Sequence, residues 1–267
     1  MNISILYLDP INFRIFRISG ITPELEVKEF IRKFRPVDNG SKLIRVGNIG
    51  DGGYLVPNDF EQVNICFSAG CDLQWSFEKD LEKLAGIRSF IIDSVDKKPL
   101  DLGMNQIYTA AWLGVTTSDK TLSLEDWVLA STSVDDNNLL LQMDIEGFEW
   151  ECFSQVKIEF LKRFRIIVIE FHTIRNILNH KMFLEIYSPV IDKLKEVFDI
   201  VHIHPNNCCG LYEFKEGFTF PNVFEVTFHR KDRATGNYGF RNLPHELDVR
   251  NISTNEDLRV FFSSDLS

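Results

Sequence analysis

The sequence contains no uncharged apolar run approaching about 18 residues, so it offers no membrane-spanning helix. It also lacks a surplus of basic residues. With 29 Lys and Arg against 39 Asp and Glu, the net charge is −10, and so acidic a chain is poorly suited to neutralising nucleic-acid phosphates. The segment Met1 to Pro10 has neither a basic stretch nor a small-residue cleavage site, so no signal peptide is expected. Cysteines are few and irregular. Cys66, Cys71, Cys152, Cys208 and Cys209 form neither a CxxC pair nor an even framework, and they read as reduced thiols of an intracellular, cytoplasmic protein. There is no GxGxxG fingerprint, no internal repeat and no low-complexity tract. Phenylalanine, by contrast, is abundant, and its even spread along the chain favours core packing over a membrane-facing stripe.

What is present is alternation. Residues 1–40 read as an N-terminal helical cap, with Leu25, Val27, Phe30, Ile31 and Phe34 near a 3.6-residue period between Pro23 and Phe34. A glycine-dense turn, Gly50-Asp51-Gly52-Gly53, separates two short extended pieces. Over residues 41–230, strands are expected at Val63–Phe67, Phe90–Ile92 and Ile107–Trp112, then at runs ending in Asp144 and Glu170, and finally at Ile200–His204 and Val223–Phe228. Helices are expected at Leu73–Ala85, with Trp75, Phe77, Leu81 and Leu84 inward, and at Lys181–Phe198. Another, at Thr121–Ala130, is opened by the capping-box pattern Ser123-Leu124-Glu125-Asp126. Strands separated by helices indicate an α/β domain with a mostly parallel sheet. The last two strands, with no clear helix between them, suggest a closing hairpin. Residues 231–267 read as a C-terminal extension packed on the domain.

Three apolar runs end in ionisable side chains: Leu139–Met143 into Asp144-Ile145-Glu146-Gly147, Ile166–Ile169 into Glu170-Phe171-His172, and Val201-His202-Ile203-His204 into Pro205-Asn206-Asn207. Ligands of open α/β sheets bind at the carboxyl ends of the strands, so these ends point to an active site. Earlier, the first strand leads into Phe67-Ser68-Ala69-Gly70-Cys71-Asp72. Small residues there allow a cofactor to approach the backbone, and without GxGxxG a cofactor lacking phosphates is favoured over a dinucleotide. Asp93, at the second strand end, lies close to where a ribose-binding carboxylate belongs. His202 is expected on the opposite face from His204, in a structural role.

The ordered set Asp51-Gly52-Gly53-Tyr54, Phe67-Ser68-Ala69-Gly70, Met143-Asp144-Ile145-Glu146-Gly147-Phe148-Glu149, Ile169-Glu170-Phe171-His172, His202-Ile203-His204-Pro205-Asn206-Asn207 and Phe220-Pro221-Asn222-Val223-Phe224-Glu225-Val226-Thr227 resembles the FkbM-type methyltransferases. The match runs from about residue 42 to 250, and the glycine loop departs from the family by keeping only Gly70. The resemblance implies a Rossmann-like class I methyltransferase sheet of seven strands, the last antiparallel. It also implies S-adenosylmethionine as cofactor. By position, Ser68, Ala69, Gly70 and Asp72 would meet the methionine part, Asp93 the ribose and Gly114 the adenine. Asp51 to Tyr54 would close over the cofactor or the acceptor.

Because that cofactor brings an activated methyl group, the protein has to align an acceptor oxygen and remove its proton. The acceptor implied is a sugar hydroxyl of a glycan or glycoside, and a lipid-linked glycan would bring a soluble enzyme into peripheral contact with a membrane. Asp144 and Glu170 are hard oxygen donors suited to Mg2+ or Mn2+. His172 is a third ligand or the base, and His204 is its rival as base. A metal-dependent hydrolase using the same Asp/Glu/His cluster is the alternative. A nucleotide-sugar or NAD-binding oxidoreductase would need a fuller glycine fingerprint, and a catalytically dead binding relative would not need the intact acidic and histidine set. Oligomeric state leaves no mark on the sequence.

Overall fold

The computed structural model describes residues 20–72, 74–94, 101–214, 217–260 and 262, with the backbone alone of 6–8 and 15–17. Parts of the expected cap and C-terminal extension, and Leu73 of the second helix, lie outside the described residues. A hairpin of β1 (Leu43–Gly47) and β2 (Gly53–Pro57) precedes the main sheet. The sheet strands are β3 (Ile65–Ala69), β4 (Arg88–Asp93), β5 (Gln106–Ala110), β6 (Leu139–Met143), β7 (Phe164–Phe171), β8 (Phe198–Pro205) and β9 (Phe224–Arg230). They lie in the order β8-β9-β7-β6-β3-β4-β5. From β7 through β5 all neighbours are parallel, and β9 runs antiparallel to both β7 and β8. This is the Rossmann-like class I methyltransferase sheet, with its last strand reversed and inserted between two earlier ones.

Central parallel strands are covered on both faces, so they read as unbroken apolar runs, not as alternations. Every residue of β7 is buried, including Arg165 and Glu170. The helices α1 (Glu24–Arg32), α2 (Ser76–Ala85), α3 (Leu124–Leu129), α4 (Glu149–Gln155) and α5 (Ser188–Val197) flank the sheet. Helix α1 buries Val27, Phe30 and Ile31, with Phe34 just beyond, and Phe34 packs edge-on against Phe224 of β9 at 5.2 Å between ring centroids. The cap thus shares the core of the sheet. Leu25 faces out because it falls on the side of the helix away from Val27. At the start of α3 the Ser123 hydroxyl accepts the Asp126 N–H at 3.1 Å, the capping interaction its pattern predicts.

Helix α2 departs from expectation on its inner face. Phe77, Glu78 and Leu81 are buried, whereas Leu84 is exposed as the last turn runs off the sheet. Cys66, Cys71 and Cys152 are free and buried, and the sulfurs of Cys208 and Cys209 lie against each other.

At the far end of the sheet from the strand carboxyl ends, Asp59 collects three cationic or polar donors. Arg165 Nη1 lies 3.1 Å from its Oδ1 and Arg233 Nε 2.9 Å from its Oδ2. The Asn39 amide donates to His229 Nδ1 at 3.1 Å, so His229 Nε2–H donates to Asp59 Oδ2, also at 3.1 Å. Burial raises the carboxyl's pKa, but Arg233, His229 and Arg165 together hold it down at about 2. A depressed carboxylate pKa stabilises the fold above the unfolded value of about 4, and that stability is lost as pH falls towards the folded value. Asp59→Asn is therefore expected to cost roughly 2 kcal/mol at neutral pH and nearly nothing at about pH 2, as read by denaturant unfolding at both.

Candidate active site

The carboxyl ends of β3, β4 and β6 border a cleft of about 610 Å³. Its first wall is the turn after β3. Gly70 has φ +76°, and a Cβ placed on it would lie 1.6 Å from the backbone oxygen of Asp144, so only glycine permits this close approach of two strand ends. The turn is fixed from the side by Asp93, whose Oδ2 accepts the backbone N–H groups of Cys71 at 2.9 Å and Asp72 at 3.0 Å. Gly70, Asp72, Asp93 and Gly114 all line the cleft, as do Asp51, Tyr54 and Asp144. The structure does not bring Ser68 and Ala69 to it. Both are fully buried in β3, and the Ser68 hydroxyl is engaged with Glu78 Oε1 and with Gln142 Oε1 at 2.7 Å.

Beside this cleft the strand register builds a row of ionisable groups. Met143 pairs with Ile169, so Asp144 follows beside Glu170; Glu170 pairs with Glu225, and Glu225 with His204. Residues opposite each other on neighbouring strands point to one face. Four adjacent strands therefore contribute Asp144, Glu170, Glu225 and His204 to a single line. Glu170, Glu225 and His204 are buried. Asp144 belongs to both the row and the cleft, and so joins them.

His172 sits over the Asp144 end of the row. Its Nδ1 is 3.1 Å from Glu149 Oε1, and that oxygen also accepts the N–H groups of Ile145 and Gly147 at 3.0 Å each. Glu149 thus fixes both the imidazole and the turn after β6. The other ring nitrogen, Nε2, faces Glu170 and Glu146 at 3.5 Å each and Asp144 at 3.9 Å. The Trp150 indole donates to the His172 carbonyl at 2.9 Å and stacks on Phe171 at 4.1 Å, which anchors the strand end from below. Three non-glycine residues with positive φ border the site, Asp72 (39°), Glu146 (56°) and Thr173 (58°), a concentration of backbone strain typical of functional loops.

The electrostatics follow from burial and crowding. Burial raises the pKa of Asp144; His172 opposes this, while Glu149, Glu146 and Asp51 add to it. Burial and then Asp144 and Glu225 push Glu170 well up. Burial alone would make His172 neutral, but Glu149, by charge and hydrogen bond, and then Asp144 and Glu170 push its pKa up to about 10. An imidazolium held among carboxylates at neutral pH is a poor proton acceptor. The geometry therefore gives His172 a charge-balancing place beside Asp144.

His202 and His204 share a face, contrary to the expectation of opposite faces. Residues two apart on a strand point the same way, and their rings lie nearly parallel at 6.4 Å. Both turn to Asp248 Oδ1, at 2.9 Å from His202 Nε2 and 3.6 Å from His204 Nδ1. Although burial raises the Asp248 pKa, the two histidines hold it well below the usual range. Asn251 donates to Glu225 Oε1 at 2.7 Å and to Asp51 Oδ1 at 3.1 Å. The C-terminal segment thereby supplies part of the wall that the strand ends leave open.

Whether the residues suit a divalent cation can be judged from the donor set. Asp144, Glu149 and His172 offer ligand atoms all within 4.8 Å of one another, and buried Asp144 Oδ1 has no hydrogen-bond partner. Oxygen donors with one imidazole fit Mg2+ or Mn2+. Because Glu149 Oε1 is already committed to two backbone N–H groups and to the imidazole, it serves better as the support of His172 than as a ligand.

A family model of the methyltransferase FkbM domain matches residues 92–197, the stretch that runs from the end of β4 through α5 and includes Asp144, Glu170 and His172. No curated protein matches the sequence. Among solved structures, a precorrin-6y C5,15-methyltransferase from Geobacter metallireducens GS-15 is similar at 11% identity and a TM-score of 0.33, over 63% of this chain and 80% of that one. The plantazolicin methyltransferase BpumL in complex with SAH is similar at 12% identity and a TM-score of 0.30, over 62% and 76%. A 16S rRNA adenine methyltransferase from Catenulisporales acidiphilia is similar at 12% and 0.30, over 70% and 98%. Among the described residues no helix is long and apolar enough to cross a membrane. Residues 92–197 thus match a methyltransferase FkbM domain, and that match supports S-adenosylmethionine-dependent methylation.

Proposed function

We propose that the protein methylates oxygen, transferring the methyl group to a hydroxyl of a sugar in a glycan or glycoside. The observation that carries this reading is the position of Asp144, which lines the cofactor cleft and also heads the row of Glu170, Glu225 and His204. A hydroxyl seated over the row lies next to the methyl donor. A line of carboxylates, amides and imidazoles suits a ligand with several hydroxyls, each of which donates one hydrogen bond and accepts others. Asn206 extends the row, donating to Glu170 Oε1 at 3.0 Å.

In this reading Gly70, Asp72, Asp93 and Gly114 bind the cofactor, which supplies the activated methyl group when bound. Asp144 takes the proton from the acceptor oxygen as that oxygen attacks. His172, held as an imidazolium by Glu149, opposes the rise in the Asp144 pKa that burial, Glu149, Glu146 and Asp51 cause. His204, between Asp248 and Glu225, orients the far side of the sugar. A divalent cation would be held by Asp144 and Glu170, with His172 joining them as a neutral ligand in place of its imidazolium form, and there it would lower the pKa of the acceptor hydroxyl. An acceptor carried on a lipid would reach this site from a membrane surface, with the protein remaining peripheral.

Calorimetric titration with S-adenosylhomocysteine tests the cofactor half. Wild type is expected to bind in the micromolar range, and Asp93→Ala to lose about 100-fold, since the substitution removes the ribose partner and releases the turn after β3. Turnover on a panel of glycosides, with and without Mg2+, tests the acceptor half. Methylation confined to amines or carbon acceptors would sink the sugar reading while leaving the methyltransferase intact.

A further inference from the structure

The cofactor cleft has a one-sided charge. Among the described residues lining it are Asp51, Asp72, Glu78, Asp93, Asp144 and Glu146, and no Lys, Arg or His. The group it binds carries two positive centres, a sulfonium and the α-ammonium of its methionine part. Five of the six acids are half-buried or exposed, and two already have assigned work: Asp93 accepts two backbone N–H groups, and Asp144 faces the acceptor row. Glu78 is different. It is only 2% exposed, on the inner face of α2, where an apolar residue would be expected.

One of its oxygens is accounted for. Oε1 meets the Ser68 hydroxyl, which also contacts Gln142 Oε1, and the Gln142 amide donates to the Tyr54 hydroxyl at 3.3 Å. The other, Oε2, is buried without any hydrogen-bond partner. An ionised carboxylate left half-satisfied in a buried position is costly, and native structures retain such a group where a ligand completes it. Glu78 is also well placed along the cleft. It stands in the first turn of the helix that follows the Gly70 turn, while Asp93 occupies the next strand end on the ribose side.

We infer that Glu78 binds the α-ammonium group of the cofactor through Oε2, with Ser68 and Gln142 holding the carboxylate in place. The assignment rests on the cofactor reading above and deepens it, by giving the methionine end of the cofactor a buried anchor on α2 and not on the glycine turn. It also accounts for Ser68. That hydroxyl acts from behind, positioning Glu78 without touching the ligand. Burial raises the Glu78 pKa to about 6, against the Ser68 hydrogen bond, so an arriving ammonium meets a carboxylate that is ionised at neutral pH and short of a counter-charge.

The experiment compares S-adenosylhomocysteine with its deaminated analogue, which lacks only the α-amino group, by calorimetry on wild type, Glu78→Gln and Asp72→Asn, each checked for folding by thermal melting. Wild type is expected to prefer the amino compound by at least about tenfold, the usual worth of a charge-assisted hydrogen bond in a buried site. Glu78→Gln is expected to bind both compounds alike, and Asp72→Asn to keep the preference. A Glu78→Gln protein that folds and still prefers the amino compound overturns the assignment, as does loss of the preference in Asp72→Asn alone. Should Glu78→Gln not fold, the structure of wild type with S-adenosylhomocysteine decides: an ammonium nitrogen about 3 Å from the Glu78 carboxylate supports the assignment, and one beyond about 4 Å overturns it. Equal binding of both compounds by wild type defeats the ammonium anchor alone, whereas binding of neither defeats the cofactor reading and this assignment with it.

Discussion

Asp144→Asn is expected to lower kcat by about 10³-fold while leaving the affinity for S-adenosylhomocysteine within about threefold of wild type. The side chain keeps its shape and its place between Gly70 and His172, so the cleft survives; what disappears is the group that can accept a proton. The wild-type rate should climb as pH rises through neutrality, because burial and the neighbouring carboxylates raise the Asp144 pKa and the ionised form is the active one. In the variant that limb of the profile should vanish. His172→Gln separates the two parts played around this carboxylate. Without the imidazolium, Asp144 loses the cation that opposes its protonation, so the pH–rate limb should shift upward by about one unit while remaining visible. A full rate in Asp144→Asn, measured by release of S-adenosylhomocysteine with a competent acceptor, would remove Asp144 from the base position.

Gly70→Ala carries the largest structural effect expected in the chain. Its φ of +76° strains any L side chain, and the added Cβ would fall 1.6 Å from the Asp144 carbonyl oxygen. Backbone has to move on one side or both, at a cost on the order of 4 kcal/mol. Because the two backbones in question are the turn after β3 and the strand end that carries Asp144, the proposed cofactor contact and base position shift together, and affinity should fall by about 100-fold and kcat by more. Gly86→Ala is the matched control. It has a similar φ of +67° but nothing within 4 Å of the added carbon, so it should cost only about 1 kcal/mol and leave turnover unchanged. Equal denaturant midpoints for the two variants would show that the Gly70–Asp144 approach is not tight.

The sheet was largely legible in the sequence because its strands are buried on both faces, and such strands announce themselves as apolar runs. Leu139–Met143 and Ile166–Ile169 needed no periodicity to be seen. The candidate site was legible only where an ionisable residue ends such a run, as Asp93, Asp144, Glu170 and His172 do. Glu149 escaped because in sequence it is simply an acid in the first turn of a helix, a position carboxylates favour for the dipole. Glu225 escaped because its importance comes from register: only the pairing of β9 with β7 sets it opposite Glu170. Asp248 and Asn251 reach the row from a segment without regular structure, and no periodicity signals that. Glu78 was hidden by the rule that the inner face of a helix is apolar. The two histidines of β8 were misassigned for a simpler reason, since alternate residues of a strand face the same way.

The insertion of β9 between β7 and β8 has a consequence for how the molecule comes to exist. The turn after β3, Asp93 and Asp144 lie on or next to strands that are complete by residue 144 and pair with one another, so that part of the cleft can assemble while the chain is still being made. The acceptor half cannot. Glu225 arrives on the last strand, which has to enter a gap between two strands synthesised before it, and Asn251 arrives later still. A nascent or truncated chain ending before β9 would thus expose the free edge of β7 and leave β8 without a partner, beside a cleft already taking shape. Such a chain is a species at risk of aggregation, and one that could bind the methyl donor with nowhere to place an acceptor.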